Sequence, residues 1–255
     1  MITSLPKQRR PTYHFLRFAK NFNPVHLSIA IDAENLLKHR ECFKNGTKKK
    51  ISYTAYMLYF ASRALEKFPE VNVSIKHSFI PKMMRHQQIH GKFTLDKSAG
   101  DERVVLPGLV RDANCKTLVQ IQEVIDEYKE SKYEDSPHFR NARILAKLPM
   151  ALGGFIYRKV LSNLVKRENA QGTFMVSSLG HNNIRNFFPI ITSTVAFGVG
   201  AIEKTPVVKN DQIVIGHLLN LSMSFEHSAI DGALASDFLN YIKSSIEEFN
   251  ISKLI

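Results

Sequence analysis

Residues 219–249 carry two different periods back to back. Leu219, Leu221, Met223 and Phe225 are apolar and alternate with Asn220, Ser222, Ser224 and Glu226, the pattern of a half-buried strand. The apolar residues then fall at Leu234, Ala235, Phe238, Leu239, Ile242, Ile246 and Phe249, which share one face of a helix. A strand must therefore pass into a helix within a few residues. That junction holds His227 and, four residues on, Asp231-Gly232. A side chain there is fixed by a rigid strand and can face a cleft. Taken alone, His-x-x-x-Asp-Gly reads equally well as a polar turn, with Asp capping the helix and Gly allowing a tight bend.

A chain of 255 residues can bury a sizeable core, and 44% hydrophobic with 23% charged residues argues against wholesale disorder. No apolar run has the length of a membrane span, and no apolar core follows the basic N-terminus as in a secretory signal. Cys42 and Cys115 make no disulfide framework and have no metal-ligand spacing, so a reducing cytoplasm is expected. The formal net charge of +12 points to an acidic partner: nucleic acid, anionic lipid, an acidic carrier protein or a phosphate-rich cofactor. Basic clusters occur at Lys7–Arg10, Lys48–Lys50 and Arg158–Arg167, and only the last interleaves with apolar residues.

Residues 1–24 read as an arm with a short helical piece around Phe15–Lys20, and residues 25–255 as one domain. Val25–Ile31 alternates as a strand; Asp32 is placed to cap a helix that Asn45-Gly46 ends. Ser52 opens a helix with a wide apolar stripe, stopped by Pro69. Short strands are expected over Val71–Ile75 and from Phe79. His86 and His90 have the spacing of helical metal ligands, but Pro81 and Gly91 oppose a helix there, so no metal site is expected. Val104–Val110 reads as a buried strand, Thr117 as the cap of the next helix, and residues 131–170 as an extended spacer. Gly172–Gly180 is a strand into a turn, Val195–Ile202 a further strand, and Pro206–Gly216 a hairpin turning at Asn210-Asp211.

Several stretches together resemble one family. The run SFEHSAIDGALASDFLNYIKSSIEEF resembles the C-terminal signature of the acyltransferase subunits of 2-oxoacid dehydrogenase complexes. Ala64–Asn72, Leu106–Ala113, Gly172–Gly180 and Gly198–Val208 resemble further blocks of that family, in the same order. The resemblance implies an α/β, chloramphenicol acetyltransferase-like two-layer fold, a mixed sheet backed by helices. It extends to the catalytic domain alone. No lipoyl attachment site is then expected on this chain, and a lipoyl or acyl carrier protein would act in trans. One departure is Glu226-His227-Ser228, where the family usually has Asp-His-Arg.

What the resemblance implies about chemistry is specific. Direct acyl transfer needs a base for the acceptor and donors for the tetrahedral oxyanion. His227 is then the general base and Ser177 the oxyanion donor, with Ser178 the alternative if the turn is shifted by one. Asp231 holds the histidine's loop through an arginine, Arg10 or Arg17, and Gly232 permits the tight turn. The donor is an acyl thioester, expected to be acyl-CoA, and the acceptor a thiol, hydroxyl or amine. A homotrimer, or a larger assembly of trimers, would set His227 against Ser177 of the next subunit. The rival expectations are a non-catalytic scaffold of a dehydrogenase-like complex and a nucleic-acid or anionic-membrane binder; no nucleic-acid motif supports a nucleic-acid partner. Ile144–Lys166, basic and apolar, is expected to form two short helical pieces broken at Pro149 and Gly153-Gly154. It reads as extra packing, as a lid in which Phe155 and Leu161 line an acyl channel, or as a membrane-surface contact.

Overall fold

The structure, a computed structural model, describes residues 3–249; Met1, Ile2 and residues 250–255, the end of the expected domain, lie outside the described residues. Its centre is a hairpin of two 15-residue strands, β7 (Val195–Lys209) and β8 (Gln212–Glu226). The turn falls at Asn210-Asp211, both with left-handed backbone (φ 51° and 60°), whose twist matches that of paired strands. The expected strand at 195–202, the hairpin at 206–216 and the strand from Leu219 are thus one continuous unit. A register shift between Val199 and Ile202 places one extra residue in β7 and bends it without ending it.

The remaining strands add to this hairpin. β1 (Pro24–Asp32) runs antiparallel to β8, β6 (Phe174–Ser178) parallel to β7, β4 (Gly91–Ala99) parallel to β6, and β5 (Glu102–Val110) antiparallel to β4. The sheet order is β1-β8-β7-β6-β4-β5, and β2 (Val73–Lys76) and β3 (Lys82–Arg85) form a separate pair. Val104–Val110 is not buried on both sides: Val105 is 56% exposed, because β5 is an edge strand with one open face. Pro107 is tolerated on such an edge.

One face of the sheet carries the main core. Phe174, Val176, Val195, Phe197, Leu221, Met223 and Phe225 project into it, against the helices α2 (Glu34–Thr47), α3 (Tyr53–Lys67), α4 (Leu118–Glu130) and α8 (Gly232–Glu247). Burying each large side chain is worth about 1.5–3 kcal/mol. Ser52 accepts the Ala55 N–H, and Thr117 with Gln120 closes a capping box, so both helix starts are as expected. α2 differs at both ends. Ala33 is its N-cap while Asp32 Oδ1 accepts the Glu34 N–H at 3.0 Å, and the helix runs through Asn45-Gly46 until Lys48 takes the left-handed position (φ 58°). His86 is buried outside any helix, its Nδ1 2.9 Å from Glu168 Oε2 and its Nε2 2.8 Å from Ser74 Oγ. No cluster of three metal-ligating side chains exists among the described residues.

On the other face, Met175 and Ala196 pack with Phe18, Phe22, Leu161 and Ile191. Here α1 (Arg10–Ala19) meets α5 (Arg140–Lys147) and α6 (Met150–Ser162), followed by α7 (Leu164–Gln171). The arm's helix is longer than expected and is docked: Arg10 Nη1 donates to the carbonyls of Ala146 (3.2 Å) and Leu148 (2.8 Å). Ile144–Lys166 falls on three helices. Pro149 separates the first two as expected, but Gly153-Gly154 lie inside α6. The His14 ring packs there so closely that a Cβ on Gly153 would stand 2.9 Å from its Nε2. Phe155 is 64% exposed and Leu161 is buried, so in the single chain the two meet different surroundings.

Beneath α1 lies the buried Lys92 of β4, whose Nζ donates to Gln171 Oε1 and sits 4.8 Å from the Phe15 ring centre. Burial pushes its ammonium down from the ordinary 10.5 to about 8. Between these values the unfolded chain holds a proton that the folded chain does not, so stability contributed here rises with pH across that window. Lys92→Met should abolish this rise and leave stability near neutral pH unchanged or higher. Urea unfolding of both chains at a series of pH values measures it; a rise retained in Lys92→Met would contradict the burial argument.

Candidate active site

His227 sits at the end of β8, where two backbone ties hold the chain. Its N–H donates to the Asn23 carbonyl at 3.0 Å. The preceding Glu226 is fully buried, and its carboxylate accepts the Asn23 N–H (2.7 Å) and the Ser228 N–H (3.1 Å). Glu226 thus fastens the segment entering β1 to the turn leaving β8. Hydrogen bonds to a charged acceptor are stronger than neutral ones. His77 Nε2 stands 3.7 Å from the same carboxylate. The His227 side chain is half exposed, and its ring centre lies 5.8 Å from that of Phe225. Its backbone is therefore fixed while the imidazole opens outward.

Asp231 does not have the role the sequence suggested within one chain. Its carboxylate is 90% exposed and 3.8 Å from His227 Nδ1, beyond hydrogen-bond distance. Arg10 is committed to the carbonyls of Ala146 and Leu148, and Arg17 lies over the Tyr13 ring at 5.9 Å. Asp231 is the N-cap of α8 without a side-chain cap bond. Gly232 opens that helix, and a Cβ there would meet nothing within 4 Å, so the turn itself requires no glycine.

Ser177 lies on β6, its Oγ 2.8 Å from Thr94 Oγ1 of β4. Ser178 points to the opposite side of the strand and donates weakly to the Val199 carbonyl at 3.4 Å. No local pattern in the sequence marks Thr94. Its meeting with Ser177 depends on the parallel register that sets Phe93 against Val176, and no local pattern encodes that pairing. Glu226 reads in the sequence as the polar partner in an alternation, yet it is the most enclosed carboxylate at the junction.

One chain does not bring His227 and Ser177 together. Ser177 lies level with Gly198, and Gly198 with Ser222. His227 is therefore five residues further along and two strands across, on the order of 20 Å away at ordinary strand rise and spacing. A site using both side chains needs the histidine of one copy and the serine of another.

Comparison with known proteins gives the same family. The chain matches the family described as 2-oxoacid dehydrogenases acyltransferase (catalytic domain) over residues 4–138 and 156–254, leaving 139–155 unmatched. It is 28% identical over 229 residues to the dihydrolipoyllysine-residue acetyltransferase component of the pyruvate dehydrogenase complex of Rickettsia prowazekii, covering 87% of this chain and 48% of that protein. The chain thus spans about half the length of that curated relative. Among solved structures it is similar to Azotobacter vinelandii dihydrolipoamide acetyltransferase, studied for the catalytic roles of a serine, a histidine and an asparagine four residues after it (TM-score 0.73, 21% identity, 97% of this chain and 92% of that one). It is also similar to the cubic core of the pyruvate dehydrogenase multienzyme complex (TM-score 0.71, 21% identity, 97% and 92%). The family model matches most of the chain's length: this chain belongs to the family of 2-oxoacid dehydrogenase acyltransferase catalytic domains.

Proposed function

We propose that this protein transfers an acyl group from a thioester, acyl-CoA, to a thiol, hydroxyl or amine acceptor, in a homotrimer whose sites lie between subunits. The observation that carries the reading is the pairing of opposites at the two side chains. His227 has a clamped backbone and an open imidazole, and Ser177 has a hydroxyl held by Thr94, yet the two stand far apart in one chain. The Azotobacter acetyltransferase supports the roles, since it was studied for a serine, a histidine and a residue four positions after that histidine. Here that position is Asp231, a carboxylate in place of an amide. The cubic core of the pyruvate dehydrogenase complex supports an assembly of trimers.

The chemistry follows from these groups. His227 accepts the proton of the acceptor S–H, O–H or N–H as the acceptor atom attacks the thioester carbonyl. The carbonyl oxygen becomes an oxyanion and accepts a hydrogen bond from Ser177 Oγ–H. Thr94 Oγ1 stands 2.8 Å from Ser177 Oγ; with Thr94 as the donor, the serine's own hydrogen is left to point at the oxyanion. The tetrahedral intermediate collapses, the C–S bond to CoA breaks, and the imidazolium returns its proton to the departing thiolate. No acyl-enzyme forms. A lipoyl or acyl carrier protein in trans is a candidate acceptor.

A non-catalytic core subunit is the second reading, and the exposed Asp231, which meets neither Arg10 nor Arg17, favours it. Turnover separates the two. With acyl-CoA and dihydrolipoamide, and CoA resolved chromatographically, His227→Ala should lower kcat about a hundredfold or more. Ser177→Ala should lower it about a hundredfold with little change in KM. Thr94→Val should cost at least about tenfold in kcat, through the misdirected serine hydroxyl, while Thr94→Ser restores it. Wild-type protein without turnover on any thioester would favour the scaffold; an unchanged rate in His227→Ala would remove the histidine from the mechanism.

A further inference from the structure

The whole formal net charge of this chain lies in two segments. Residues 1–31 hold five Lys and Arg and residues 136–167 hold seven, with no Asp or Glu in either, and together they account for the full +12. The rest of the chain is balanced. The fold brings these segments together, because α1 packs against α5 and α6. Arg10, Arg17, Arg140, Arg143, Lys147, Arg158 and Lys159, distant in sequence, therefore share one packed group of three helices, whereas Arg167 is buried.

The same side is apolar on its outside. α6 buries Gly153 and Leu161, but Leu152, Phe155 and Ile156, three neighbours on its outward row, are 47%, 64% and 37% exposed. Arg158 and Lys159 follow directly. On α1, Tyr13 and Leu16 are 41% and 40% exposed. Tyr13, Arg17, Phe155 and Arg158 line one groove of ≈ 640 Å³ between the helices. Also lining it is His14, only 4% exposed, whose Nε2 has no hydrogen-bond partner among the described residues. Burial, then the charges of Arg17 and Arg10, hold that imidazole below the usual histidine range, so it is neutral near pH 7. An exposed apolar ridge costs free energy in water, and contiguous patches of this kind mark interaction sites. Part of the ridge lies in residues 139–155, which the family match skips, so the family's fold does not call for it.

We propose that the α1–α5–α6 face seats this protein on an anionic lipid bilayer surface. Cations on long stems ring an apolar ridge, and neither charged segment contains a carboxylate. A bilayer with anionic headgroups offers what this face lacks: phosphate acceptors at the level of the arginines and apolar depth beneath them for Phe155, Leu152 and Ile156. A folded protein partner presents donors as well as acceptors, and the donors would find no carboxylate on α1, α5 or α6. No helix among the described residues is long and apolar enough to cross a membrane, so the contact is with the surface.

Co-sedimentation of the full chain with phosphatidylglycerol–phosphatidylcholine vesicles, and with phosphatidylcholine vesicles alone, tests this. The protein should sediment with the anionic vesicles, be released by added salt, and stay in solution with the neutral ones. Arg158→Ser with Lys159→Ser should lower partitioning about thirtyfold. Leu152→Ser with Phe155→Ser should lower it at least about tenfold, with melting temperature and sedimentation coefficient unchanged. Absence of binding, or equal binding to both vesicles, would overturn the proposal. So would a changed oligomeric state in the apolar variant, which would make the ridge a contact between copies. Binding to polyglutamate as tight as to vesicles, lost in the charge variant and kept in the apolar one, would make the face an acidic-protein site instead.

Discussion

Residues 195–226 pair with each other along nearly their whole length, and the other layers are registered on that hairpin. β8 fixes β1 on one side and β7 fixes β6 on the other, so the two ends of the sheet meet only through it. The inward residues of both strands supply the floor of the main core, and α8 leaves β8 directly to cover it. The junction between strand and helix is therefore among the least free points of the chain. Glu226 tightens it by holding the backbone N–H of Ser228, just past it, and that of Asn23, just before β1. A buried carboxylate is costly without such partners, and here the cost fixes the segment that presents His227.

What could be read in the sequence was what short-range physics decides. The change from period two to period 3.6 after Phe225 located the junction, since both periods sit on contiguous residues. Ser52, Thr117 and Asn210-Asp211 were legible because caps and tight turns depend on a few neighbouring atoms. The rest was set at long range. Asn45-Gly46 carries a strong stop signal, yet α2 continues past it. Gly153-Gly154 would weaken an isolated helix, but there they make room for the His14 ring. Thr94 reaches Ser177 only through a parallel pairing of residues more than eighty positions apart. The resemblance pairs Asp231 with Arg10 or Arg17 and gives Gly232 a tight turn; in the single chain Asp231 meets neither arginine, and the Gly232 backbone has room for a side chain.

The molecule thus separates two tasks by face. One side of the sheet is a dense core with ordinary helix coverage. The other carries the Ser177–Thr94 pair on β6 and β4, and the basic, apolar helices α1, α5 and α6. Residues 139–155 add to the second side and leave the hairpin untouched, which is why the family's fold survives an insertion of that size. Surface insertions cost little in loop closure when the segment packs its own apolar residues, as this one does with the buried Phe139.

The central claim is that His227 and Ser177 act together only across two copies of the chain. Mixed assemblies test it directly. His227→Ala protein and Ser177→Ala protein, each nearly inactive alone, are dissociated, mixed and reassembled, with subunit exchange verified by mass. A trimer of mixed composition then contains some interfaces with both intact residues. The account predicts recovery of a substantial fraction of wild-type turnover in the mixture. Demonstrably mixed trimers without recovered turnover would contradict it.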